Sequence, residues 1–188
     1  MLGVTVVLLM SAPPYQLWAG PQVASPTPAE AGAIKDFDAA IAEYMTLRGR
    51  LRGEVEGPVK DSTATQLTNA ADALAAAIQR AQPNAQVGRF FTVRVAPVFK
   101  RRVADAVRTD DLTAVLAQID DEGPVNGAPK IYVRLPVSAQ MATMPASLLA
   151  VLPPLPKELE YRILGQYLVL RDVDASLILD YIPAAVPR

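Results

Sequence analysis

Cysteine and histidine are both missing from the 188 residues of this chain. Their absence removes thiol nucleophiles, disulfide frameworks, a Ser-His-Asp triad and every imidazole or thiolate zinc site. Aromatic side chains are scarce at 6%, with a single Trp, so a stacked sugar-binding groove is not expected. Charge of one sign is missing too. The 18 Lys and Arg against 19 Asp and Glu leave a net charge of −1, which argues against a globally basic nucleic-acid binder. What is plentiful is apolar surface, at 51% of residues, enough for one cooperative core.

No charged residue precedes Glu30. Val4 to Met10 form an apolar run ended by Pro13-Pro14. The run is shorter than the ~20 residues of a membrane-spanning helix and suits the ~7–15-residue apolar stretch of an export signal. Small residues at Ala19, Gly20 and Ala24 stand near a candidate cut. The expectation is a signal peptide over 1–24 and a periplasmic or secreted product, followed by a linker over 25–31. The alternative is that the run belongs to the folded core.

From Ala31 to about Val55, Ile34, Phe37, Ile41, Tyr44, Leu51 and Val55 recur at helical spacing, interrupted where Arg48 occupies the seam. Asp61-Ser62-Thr63 offer a cap for a second stripe of Leu67, Ala71, Leu74, Ile78 and Ala81, ended by Gln82-Pro83-Asn84. The two stripes predict a helical hairpin. A third helix carries Val95, Phe99, Val103 and Val107, with its start open between a Thr92 cap and Pro97. A short fourth helix is predicted from Asp110 to about Asp121.

Nine of the 17 prolines fall at or after Pro124, so the composition shifts there. Lys130 to Leu135 alternates, with Ile131, Val133 and Leu135 predicted inward. Ala146 to Leu152 suits a single helical turn. Glu158 to Asp172 reads as a hairpin around Gly165-Gln166, since Gly in the first loop position is the type II′ signature. That loop fixes the register: Leu164 faces Tyr167, Ile163 Leu168, Arg162 Val169, Tyr161 Leu170, and Glu160 Arg171. Leu159, Tyr161, Ile163, Leu168 and Leu170 then share the core face, because a slip of one residue would bury Glu160 and Arg162. Val173, Leu177 and Tyr181 recur every four positions and predict a short C-terminal helix, with a third strand as the alternative. Asp172 and Asp174 would cap that helix.

The fold class expected is therefore α+β. A helical bundle of about four helices over 32–123 is followed by a small antiparallel sheet over 124–188, the two forming one cooperative unit.

The run LPPLPKELEYRILGQYLVLRDVDASLILDYIP, residues 152–183, resembles the C-terminal signature of an uncharacterised family of exported bacterial proteins. That signature pairs LPPLP-x-ELEYR with a G-x-x-L-x-LRD hairpin arm. The front half is similar in plan, with a signal peptide, a Tyr-containing first helix, an Ala-rich second and a Gly-x-Phe-Phe-Thr-like opening to the third, here Gly88 to Thr92. Val93 departs from the Pro of that pattern. The resemblance implies export and this architecture, and no activity.

Three clusters could carry chemistry. Arg89, Arg94, Lys100, Arg101, Arg102 and Arg108 face a single acid, Asp105, within 88–108, with Phe90, Phe91 and Phe99 interleaved. This is a candidate anion-binding surface for lipid headgroups, an acidic envelope polymer or nucleic acid. The consecutive Lys100, Arg101 and Arg102 fan around a helix, which favours instead a solvated face whose aromatics point inward. Asp110-Asp111 and Asp120-Asp121-Glu122 lack the spacing of a calcium loop. Glu158 and Glu160 share a strand face at a separation of ~7 Å, compatible with a carboxylate pair in a glycosidase-like hydrolase. Arg162 and Arg171 on that face offer them ion-pair partners instead. No catalytic, cofactor or metal residue is assigned. The expectation is a non-enzymatic interaction or assembly module whose partner is another envelope protein or an envelope polymer, with no nucleic acid and no transmembrane span.

Overall fold

The structure, a computed structural model, describes residues 26–109, 127–134 and 144–186. Among the described residues, four helices and a three-stranded antiparallel sheet make an α+β fold. The helices are α1 Pro28–Glu54, α2 Ala64–Ala81, α3 Val95–Thr109 and the six-residue α4 Ala146–Val151. The strands β1 Leu159–Leu164, β2 Tyr167–Asp172 and β3 Leu177–Ile182 lie in the order β1-β2-β3. Among the described residues no helix is long and apolar enough to cross a membrane.

Both long front helices begin in capping boxes. Thr27 accepts the Glu30 N–H while Glu30 accepts that of Thr27, and Thr63 and Gln66 repeat the exchange at α2. Pro28 takes the first helical position, where its missing N–H costs nothing. The expected linker therefore ends sooner: residues 28–31 are helix, because Thr27-Pro28-Ala29-Glu30 is a complete start signal. At α3, Thr92 accepts the Val95 N–H through both its carbonyl and its hydroxyl, so the helix opens before Pro97 and that proline sits harmlessly in the first turn.

α1 buries Phe37, Ile41, Tyr44, Arg48 and Leu51 along one stripe. α2 buries Leu74 and Ile78 with Ala70, Ala75 and Ala77, whereas Leu67, expected inward, is half exposed in the first turn. α3 contributes Val95, Phe99, Val103 and Val107, as its periodicity predicts. Phe37, Phe91, Phe99 and Tyr161 stack or meet edge-on at centroid separations of 5.0–6.5 Å, joining α1, α3 and β1. Ion pairs Glu30–Arg101 and Asp36–Arg94 connect later residues of one segment to earlier ones of the other, so α1 and the chain into α3 run in opposite directions.

The β1–β2 register matches the expected one pair for pair. Gly165 has φ +56° and Gln166 does not share a positive φ, the arrangement that a Gly-first two-residue loop requires. Leu159, Tyr161, Ile163, Leu168 and Leu170 are all buried on the helix side.

Two expectations for the back half are corrected. Residues 173–182 form a loop and then β3, not a helix. The four-residue spacing of Val173, Leu177 and Tyr181 mimicked a helical stripe, but a β-bulge between Leu170 and Arg171 breaks the strand's period of two. Residues 130–134 form no regular strand. Tyr132 adopts φ +54°, which reverses the alternation, so Tyr132 is buried and Val133 is 48% exposed. This segment still borders β3, through the Tyr132 N–H to Ile178 carbonyl bond of 2.7 Å and a bridge between Arg134 and Leu177. Residues 1–24, the helix expected at 110–121 and Leu135 lie outside the described residues.

Candidate functional site

The least expected chemistry lies between the sheet and the helices. Asp172, at the end of β2, has no solvent exposure, and Arg48 in the seam of α1 has 5%. Arg48 Nε donates to Asp172 Oδ2 at 2.6 Å and Nη2 to Asp174 Oδ2 at 2.5 Å, with a longer contact to Asp172 Oδ1. The Tyr44 hydroxyl donates to the same Oδ2 at 2.8 Å, and the Ala175 N–H donates to Oδ1 at 2.9 Å. Tyr44 and Arg48 stand one helical turn apart, so both reach one carboxylate. Burial, then the Asp172 charge, pushes the Tyr44 hydroxyl well above its ordinary range, so it stays a donor. Burial is the largest single influence and opposes the Arg48 charge, but the hydrogen bonds and charges of Asp172 and Asp174 together outweigh it and hold the guanidinium protonated.

Asp180, on β3, is the second buried acid. It collects backbone N–H groups: Gly88 and its neighbour Tyr181 on Oδ1, Phe90 and Phe91 on Oδ2, all at 2.8–2.9 Å. Gly88 holds φ +91°, which an L side chain rarely adopts, and this turns the loop toward the carboxylate.

Glu160 lies on the opposite sheet face. Its Oε1 accepts from Arg171 at 2.7 Å and its Oε2 from Arg162 at 2.8 Å. The carboxylate that shares a strand face with Glu158 is thus committed to both arginines.

The basic segment divides between core and surface. Phe90, Phe91 and Phe99 are buried, as the solvated-face reading expects. Arg94 pairs with Asp36, Arg101 with Glu30, Arg89 with Glu43, and Arg108 with Asp105. Arg102 donates to the Val151 carbonyl at the end of α4. Lys100 is half-buried on α3. Acids of α1 therefore face three of these six cations, and among the described residues no two of the five arginines share a partner. Asp110-Asp111 and Asp120-Asp121-Glu122 lie outside the described residues. Among the described residues no group of three or more acids is placed to hold a metal.

Two clefts flank these networks. One, of about 330 Å³, runs between α4 and β1 and is walled by Met144, Leu149, Pro153, Pro154, Tyr161 and Arg162. The other, of about 510 Å³, follows the loop from Gln82 to Arg89 and mixes the amides of Gln82, Asn84 and Gln86 and the Arg89 guanidinium with Pro83, Val87 and alanines. Comparison with known proteins returns no matching family model, no matching curated protein and no matching solved structure. The chemistry of the site rests on its own geometry.

Arg48 stands out in the sequence as an irregularity of the α1 stripe, but spacing supplies no partner for it. Asp172 and Asp174 were expected to cap a helix. Asp180 was not expected to take part, although an acid in the run Leu177-Ile178-Leu179-Asp180-Tyr181-Ile182 is the one charged residue in an otherwise apolar strand. That isolation was its only signal.

Proposed function

We propose that the protein is exported and serves as a non-catalytic interaction or assembly module of the cell envelope, acting on another envelope protein or polymer. One observation carries the non-catalytic part. Asp172, Asp180 and Glu160 each have both carboxylate oxygens occupied by donors of this chain. A general acid or base must present a lone pair or proton to substrate. A carboxylate engaged on both oxygens by arginine, tyrosine or backbone N–H groups instead holds structure together, and Asp172 and Asp180 are in addition fully buried. The apolar run at Val4–Met10, with no charged residue before Glu30, supports the export part.

The test takes the natively expressed protein from cytoplasmic and envelope fractions and measures its intact mass. A form in the envelope lacking about 19–24 residues is expected for a cleaved export signal; full-length protein in the cytoplasm overturns export. Purified protein is expected to be inert on peptidoglycan and polysaccharide. Hydrolysis that disappears in Glu158→Gln or Glu160→Gln overturns the non-catalytic role.

A further inference from the structure

The β2–β3 pairing carries a choice that the residues alone do not force. From the loop, Asp172 pairs with Leu177 and Arg171 with Ile178. A regular ladder would continue with Leu170 opposite Leu179 and Val169 opposite Asp180. It would turn Leu179 and Tyr181 toward the helices and leave Asp180 on the outer face, the face that carries Arg162 and Arg171. The observed pairing instead skips a residue: Leu170 faces Asp180, Val169 faces Tyr181 and Leu168 faces Ile182. A shift of one residue exchanges the two faces of a strand, so the bulge exchanges Leu179 for Asp180 at the core position opposite Leu170. The regular ladder would spare a carboxylate its costly removal from water, whereas the bulged pairing buries Asp180 while keeping Leu177, Ile178, Leu179 and Ile182 all buried.

What repays that cost is the loop before α3. The N–H groups of Gly88, Phe90 and Phe91 converge on Asp180 at 2.8–2.9 Å. Phe90 and Phe91 are themselves buried, so without an acceptor their N–H groups would lie unsatisfied in the core. The loop supplies a nest of donors and the strand supplies one anion. The bulge is the device that brings them together. Tyr181 then packs edge-on against Tyr167 on the outer face, at 5.4 Å between centroids, a contact the regular ladder would lose.

We propose that Asp180 is a register key: its carboxylate, by seating in the Gly88–Phe91 donor loop, selects the bulged β2–β3 pairing over the regular one. The strand register is thus set by a contact with a segment some 90 residues earlier in the chain.

The deciding variant moves the acid by one residue, Leu179→Asp with Asp180→Leu. If the register follows the carboxylate, cross-strand nuclear Overhauser contacts of Val169 move from residue 181 to residue 180, and those of Leu168 from residue 182 to residue 181. Retention of the parent contacts overturns the proposal. Should the double variant fail to fold, Asp180→Asn decides in its place. It turns one acceptor into an N–H donor facing the loop, so the bulged pairing loses its advantage: amide exchange at Gly88, Phe90 or Phe91 quickens by about tenfold or more, and Val169 contacts to residue 180 appear beside those to residue 181. Unchanged exchange at all three overturns the proposal, because the carboxylate would then hold nothing the amide does not.

Discussion

Two arginine–carboxylate contacts of almost equal length sit on opposite faces of the same sheet. Arg48 meets Asp172 at 2.6 Å between sheet and α1, where the side chains are 6% and 0% exposed. Arg171 meets Glu160 at 2.7 Å on the outer face, at 20% and 23%. Distance does not separate them; surroundings do. The inner pair has surrendered its water, so each partner depends on the other and on Tyr44, Asp174 and the Ala175 N–H. The outer pair retains some solvent, and each partner can be replaced by it at small cost.

Breaking the inner pair is the sharpest way to test that contrast. Arg48→Ala leaves Asp172 buried without its cation, and a loss of about 3–5 kcal/mol is expected, read from the midpoint of denaturant unfolding. Removing both charges together, as Arg48→Met with Asp172→Asn, is expected to recover more than half of the loss seen for Arg48→Met alone. A double variant as unstable as the single one would mean that Arg48 matters through packing on α1 and not through the charge it neutralises.

The next largest effect separates charge from hydrogen bonding within the same cluster. Tyr44→Phe removes one donor from Asp172 and leaves Arg48 and the Ala175 N–H in place. The expected loss is about 1–2 kcal/mol, clearly below that of Arg48→Ala by the same unfolding measurement. Equal losses for the two would contradict the picture of a carboxylate held chiefly by the guanidinium.

On the outer face Arg171→Gln is expected to cost under about 1 kcal/mol, the scale of a cross-strand ion pair. High salt is expected to shrink this difference while leaving that of Arg48→Ala nearly intact, because screening reaches partly solvated charges better than fully buried ones.

The same contrast, between contacts made locally and contacts made across the chain, explains which elements the residue spacing reveals. The β1–β2 hairpin is legible because everything that fixes it is local: a Gly-first loop, alternating apolar residues and an acid opposite a base. α1 to α3 are legible from apolar spacing, and α2 and α3 also from the caps offered at Asp61-Ser62-Thr63 and Thr92, whereas the Thr27 start of α1 lies in a stretch that reads as linker. β3 is not, because its pairing depends on a bulge, and the bulge on an acid whose partners are backbone N–H groups near Phe90. Arg48 is visible as a break in the α1 stripe, yet its partner lies 124 residues away. Nothing in spacing alone could show that the break was a buried ion pair. Tyr132 fails the alternation rule because its positive φ is imposed by its place between the 82–89 loop and β3, where its hydroxyl and backbone are bonded to Gln82, Gln79 and Ile178. In each case the illegible residues are those whose conformation is decided by a distant segment.

The smallest effect sharpens the comparison at a third place, the first turn of α1. The Thr27 backbone N–H, and after it the Arg101 guanidinium, hold the Glu30 carboxyl at a pKa of about 2 against an ordinary 4.5. The folded state therefore binds this proton more weakly than the unfolded chain does. The stabilisation is complete above about pH 4.5 and is lost as pH falls through about 2, below which the carboxyl is protonated in both states. In thermal unfolding the gap between the parent and Glu30→Gln is expected to be widest near neutral pH and to close across that window. Arg101→Gln removes only the second of the two causes, so its gap should narrow over the same range and be smaller throughout. A gap that stays constant down to pH 2 would mean that Glu30 acts through helix capping geometry, which Gln preserves in part, and not through its charge. That outcome would also place the α1–α3 surface pair with the weak outer ion pairs of the sheet, leaving Arg48 and Asp172 as the charge contact on which the packing of helix against sheet depends.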